Sequence, residues 1–161
     1  MFAIHRMILR WNIEDKDIPV EERKPIWIYV QSPGGELSAM WMLIDAILLS
    51  KTPVYTANIG MAASAASLIF IAGHKRFMTP NAKVLIHEGA AAFSGDAGKL
   101  VDATDSYKKE LKAMKDFILE KTAIPKSQLM KKRSNDWELD AQFCLDNKVC
   151  DVIAESLDDI L

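Results

Sequence analysis

Ile26-Trp27-Ile28-Tyr29-Val30-Gln31-Ser32-Pro33-Gly34-Gly35 reads as a buried strand that ends in a sharp turn. Five apolar, β-favouring residues in unbroken succession are the pattern of a strand covered on both faces, as in a parallel sheet between helices. The two glycines and the proline then break the run. Directly after them Leu37, Met40, Trp41, Ile44, Ile47 and Leu48 recur at helical spacing within Glu36–Ser50. A second short apolar run follows at Val54–Ala57. Strand, turn, helix, strand is the unit of a parallel crossover, so the stretch places the chain among layered α/β domains.

The same order continues outward. After Asn58-Ile59-Gly60, the small-residue stretch Met61–Ala72 predicts a buried helix that Gly73 ends. Arg76–Met78 and Lys83–His87 read as short strands, and Glu88–Lys99 is rich in Ala and Gly without a clear period. Asp102–Lys121 is the longest helical pattern, with Leu111, Met114, Ile118 and Leu119 as its apolar side, and Pro125 stops it. Shorter helices are expected at Lys126–Lys132 and Ala141–Asn147, with a last strand at Val149–Ile153. Upstream, Ile4, Met7, Ile8 and Trp11 form one stripe of an opening helix, and Asp15–Lys24 reads as a loop. No repeat or linker interrupts residues 1–161, which read as one domain.

Composition narrows the functional classes. Half of the 161 residues are hydrophobic and 26% are charged, which is the balance of a globular domain able to bury a core without disulfides. The net charge is −2 and the longest basic cluster is Lys131-Lys132-Arg133, so nucleic acid is an unexpected partner. Cys144 and Cys150 are read as reduced thiols, since two cysteines make a poor metal site. No stretch reads as a signal-peptide core or a membrane span, and the expected compartment is the cytoplasm.

Three segments carry candidate chemistry. The turn Ser32-Pro33-Gly34-Gly35 stands at the carboxyl end of a strand, where open α/β sheets bind ligands, and its glycines free backbone N–H groups to face negative charge. Its plainer reading is a tight turn. In Gly60-Met61-Ala62-Ala63-Ser64-Ala65-Ala66 a serine opens a helix, near the N–H groups and positive dipole of its first turn. Ser-Ala runs also serve tight packing, and Ser67 looks similar by composition. Among the three histidines, His5 lies in the opening helix and His74 in an exposed turn. His87 alone closes a buried strand, as a general base or as a structural imidazole. An orienting acid has several sources: Glu88, Asp96, Asp102, Asp105, Asp136 and Asp140 all follow, with Asp140 best read as a helix N-cap. Spacing does not choose among them.

In their order, these segments resemble the proteolytic subunit of ATP-dependent Clp protease from about Lys24 to Ile153. Ile28–Gly35 is similar to the family's Tyr-Ile-Asn-Ser-Pro-Gly-Gly, Gly60–Ser64 to Gly-Gln-Ala-Ala-Ser, and Pro80–His87 to Pro-Asn-Ser-Arg-Val-Met-Ile-His. The region Lys126–Asp151 aligns so that Asp136 falls at the family's acid. The resemblance implies a layered fold shared with crotonases, with repeated β-β-α units and a mostly parallel sheet. It further implies a serine endopeptidase with Ser64, His87 and Asp136 as catalytic triad and the backbone N–H groups of Gly35 and Ala65 as oxyanion hole. Peptide cleavage there needs no metal or organic cofactor. Implied partners are polypeptide substrates, further copies in heptameric rings or a tetradecamer with helix Asp102–Lys121 at the ring–ring contact, and an AAA+ unfoldase.

The chain departs from the family in three places. Glu88-Gly89 replaces Gln-Pro after the histidine, and Ala90-Ala91-Ala92-Phe93 stands where a glycine-rich strand lines the substrate groove. The family's segment with the axial loops is missing before the first helix, as in a trimmed chain or a compact relative. Two other classes compete: a crotonase-type enzyme holding a thioester oxyanion on backbone amides, and a catalytically silent ring subunit.

Overall fold

The computed structural model of the chain describes residues 2–89, 91–132 and 136–161. Helix α1 (Phe2–Glu14) precedes β1 (Ile26–Ser32), α2 (Leu37–Leu49), β2 (Val54–Ala63), α3 (Ala65–Ile71), β3 (Lys75–Met78) and β4 (Lys83–Ile86). The long α4 (Ala97–Lys121), α5 (Lys126–Lys132), β5 (Trp137–Leu139), α6 (Ala141–Asp146) and β6 (Val152–Ile153) complete the chain. Among the described residues six strands form one mixed sheet in which only β4 and β5 pair antiparallel, so the mostly parallel α/β architecture holds.

Strand β2 organises the sheet. Over Val54–Asn58 it lies between β1 and β3, and over Met61–Ala63 it pairs with β4 instead. The change of partner occurs at Asn58, whose buried side chain donates from Nδ2 to Lys83 O (2.8 Å) and accepts from Gly60 N–H (3.2 Å). On the other edge the ladder with β1 shifts between Val30 and Ser32. Gln31 Oε1 takes over there, accepting the Met61 N–H at 2.6 Å. The expected helix Met61–Ala72 is therefore corrected. Ala-rich sequence favours a helix locally, but pairing with β1 and β4 keeps Met61–Ala63 extended, and the helix begins only after Ser64.

The core lies between the sheet and α2, α3 and the C-terminal part of α4. Met40, Ile44, Ile47, Leu68, Phe70 and Ile71 are buried there, as are Met114 and Ile118. Helix α4 starts at Ala97, earlier than its apolar stripe, because Asp96 caps it by accepting from Lys99 N–H (3.0 Å). Its apolar side faces the core, whereas exposed apolar side chains gather on α1 and the end of α2, among them Phe2, Ile13 and Leu49. Asp140 caps α6 as expected, accepting from Phe143 N–H at 2.8 Å. The last strand is shorter than read and spans only Val152–Ile153. Cys144 and Cys150 are free and buried, and burial pushes the Cys150 thiol up to about 11, so both are inert packing residues. Among the described residues no helix is long and apolar enough to cross a membrane.

His74 is exposed, as expected of its turn, but it has structural work: Nδ1 accepts the Val54 N–H at 2.9 Å. Partial burial of the ring, and then the charge of Lys121, push its pKa below the usual histidine value. Between the folded and unfolded values the unfolded chain binds more protons, so folding weakens as pH falls. The thermal midpoint should therefore be full above about pH 6.5 and decline below it towards the folded pKa. In His74→Ala the midpoint at neutral pH should be lower and its decline across that window shallower. An equal decline in the variant, followed by circular dichroism, would assign the pH dependence elsewhere.

Candidate active site

Ser64 sits at the junction of β2 and α3 with φ 55° and ψ −127°, one of two non-glycine residues with positive φ among those described. Such a conformation costs a side-chain-bearing residue of order 1–3 kcal/mol and persists only where its surroundings enforce it. Ser64 N–H donates to Leu85 O at 2.9 Å, extending the β2–β4 ladder into the turn. Ser64 O accepts from Ser67 N–H (2.9 Å) and Ser67 Oγ (2.6 Å), which begins α3. A strand that turns sharply into a helix projects its serine from the carboxyl edge of the sheet. Accordingly Ser64 is partly exposed while Ala63 and Ala65 are buried. Ser67 is fully buried, so the two serines, alike in composition, differ in access.

The turn after β1 lies against this junction. Gly34 has φ +112°, and a Cβ placed on it would stand 2.7 Å from Ser64 Cβ, 2.9 Å from Ala63 O and 3.2 Å from Ala65 N. Only glycine permits this approach. Ser32 Oγ accepts the Gly34 N–H at 3.2 Å and braces the turn. The N–H groups of Gly35 and Ala65 donate to no acceptor among the described residues. Ala65 directly follows Ser64 in the chain, and Gly35 directly follows the glycine packed against that serine.

His87 follows β4 directly, two residues beyond the Leu85 carbonyl that holds Ser64. Its Nδ1 lies 3.3 Å from Asp136 Oδ1. Asp136 precedes β5, a strand absent from the sequence reading, whose antiparallel register pairs Ile86 with Trp137 and so carries Asp136 to the imidazole. The turn expected at Ser134–Trp137 lies partly outside the described residues, as does Arg133 of the basic cluster. The other acids go elsewhere: Asp96 and Asp140 cap helices, Asp105 pairs with Lys108, and Glu88 pairs with Lys115. The structure thus brings His87 to Asp136 and Ser64 to the same sheet edge. No hydrogen bond joins Ser64 Oγ to His87 among the described residues. Beside the imidazole opens an apolar cleft of about 30 Å³, floored by Leu68, Met114, Ile118, Leu129 and Trp137. Ala91–Phe93, which with Ala90 (outside the described residues) stand where the family's glycine-rich strand is expected, form no strand.

Sheet, turn and edge together define an α/β protein of the layered class that presents a serine on a strand–turn–helix junction. The chain belongs to the Clp protease family, whose profile matches residues 19–156. It is similar to the ATP-dependent Clp protease proteolytic subunit 2 of Treponema denticola, with 36% identity over 85% of this chain and 70% of that one. The proteins of the same name from Treponema pallidum and Borreliella burgdorferi are each 33% identical, over 76% and 74% of this chain. The match spans 63% and 61% of the length of those two relatives.

Proposed function

We propose that this protein is a serine endopeptidase that cleaves unfolded polypeptides, with Ser64 as nucleophile, His87 as base and Asp136 as the orienting acid. The observation that carries the reading is that Ser64, in a positive-φ turn, is pinned to Leu85 O on the strand that leads into His87, whose Nδ1 is 3.3 Å from Asp136. Ser64 Oγ attacks the peptide carbonyl carbon while His87 takes its proton. The tetrahedral oxyanion sits on the N–H groups of Gly35 and Ala65, each contributing about 3 kcal/mol to its stabilisation. As the intermediate collapses, His87 passes the proton to the leaving amine and an acyl-Ser64 remains. Water, deprotonated by His87, then hydrolyses that ester. Membership of the family and the names of its relatives support proteolysis over thioester chemistry or a silent ring role. A fluorophosphonate should label the protein at Ser64, read by peptide mass, and absence of label would defeat the reading.

The peptidase works within rings of identical subunits, by likeness to the family. Exposed Phe2, Met7, Ile13 and Leu49 on α1 and the end of α2 supply apolar surface for such contacts, which a lone chain would leave in water. Native mass measurement at micromolar concentration should give a multiple of seven subunits, and a stable monomer would refute assembly. An AAA+ unfoldase as partner is part of the same proposal.

A further inference from the structure

Asp136 is 74% exposed, so water screens its attraction for the imidazole and it holds His87 only weakly from that side. Directly after His87 in the chain comes Glu88. Oε1 of Glu88 is shut off from solvent, and the ammonium of Lys115 approaches it to 2.5 Å at an angle that makes no hydrogen bond. The Glu88 main-chain carbonyl accepts from Tyr107 OH at 2.8 Å. Tyr107 and Lys115 both belong to α4, about two turns apart, so one rigid helix grips Glu88 by side chain and main chain together. Gly89, with φ +74°, then turns the chain away.

We infer that Lys115, acting through Glu88, is a positioning residue for His87; the inference rests on the proposed role of His87 as base. A carboxylate oxygen closed to water depends on the cation beside it. Without Lys115 the Glu88 carboxylate must move outward to be hydrated, and the backbone that carries His87 moves with it. Misplacement of a catalytic group by about 1 Å costs up to ~100-fold in rate. Lys115 and Glu88 also border the cleft beside the imidazole, so a direct contact with substrate is the rival explanation. The two differ in what they change: positioning acts on kcat, substrate contact on KM.

The test uses the full chain, a short fluorogenic peptide and active sites titrated with fluorophosphonate. In Lys115→Met, which keeps the apolar stem, kcat per titrated site should fall about tenfold with KM within about twofold. Glu88→Gln keeps an oxygen for the ammonium and should lose no more than about threefold. The double exchange Glu88→Lys/Lys115→Glu should recover most of the loss of Lys115→Met. In nitrogen-labelled protein the ring signals of His87 should shift or broaden in Lys115→Met while those of His5 stay in place. Unchanged kcat, a loss confined to KM, or an exchange no better than Lys115→Met alone each overturns the inference. Should Ser64→Ala cleave as fast as the parent chain, the peptidase reading has failed, and the His87 ring signals alone then decide the positioning.

Discussion

Ser64→Ala should reduce hydrolysis of short peptides by at least about a thousandfold while leaving the fold intact. Removal of a nucleophile from such a triad leaves only what the oxyanion donors and binding supply. The stability cost should be small, because no Ser64 Oγ hydrogen bond is formed among the described residues and the positive φ, unfavourable for serine, is as unfavourable for alanine. Ser67→Ala makes the contrast. Ser67 is buried and its Oγ donates to Ser64 O, so that variant loses roughly 1 kcal/mol of stability yet should retain peptide hydrolysis within a few-fold. Comparing kcat/KM and thermal midpoints for the two variants separates nucleophile from scaffold. Equal loss of activity in both, or none in the first, would remove Ser64 from its role.

What could be read beforehand follows from the range of the interactions concerned. Strand β1, helix α2 and the turn between them were legible, since a continuous apolar run, a Pro-Gly-Gly break and a 3.6-residue stripe all lie within one window. Met61–Ala63 reads as helix because local preference favours helix, whereas pairing with Ser32 and Lys83–Leu85 sets the outcome. Strand β5 is hidden in the sequence for a similar reason. Its three residues bury Trp137 and Leu139 and expose Glu138, an alternation too short to stand out without its partner β4. With β5 unseen, nothing local distinguished Asp136 from the other acids, and only the family likeness chose it. Glu88 stands out in the sequence as a departure from the family, but its partners Tyr107 and Lys115 lie on another element. The contact of Gly34 with Ser64 likewise joins residues thirty apart in the chain.

That contact gives the second large effect. Gly34→Ala should lower peptide hydrolysis by about a hundredfold, through the oxyanion site rather than the nucleophile. The added methyl would sit 2.7 Å from Ser64 Cβ and 2.9 Å from Ala63 O, both fixed by the β2–β4 ladder and the start of α3. Neither is the loose end of a flexible side chain, so the turn itself must retreat. Alanine also disfavours φ +112°, which pushes the turn the same way. Gly35 N–H moves with it, away from where the developing oxyanion would lie, and loss of one such donor costs ~10²–10³ in kcat. KM should change far less, because the donor matters most when the oxygen bears charge. Fluorophosphonate labelling should slow in step with kcat, since the phosphonyl oxygen uses the same donors. Gly98→Ala is the control: Gly98 lies in α4, its Cβ would meet only Asp96 Oδ1 at 3.5 Å, and alanine there should stabilise by about 0.5–1 kcal/mol without touching activity. A Gly34→Ala variant with full kcat would mean that the turn does not supply the oxyanion donor, and Gly35 would lose that role.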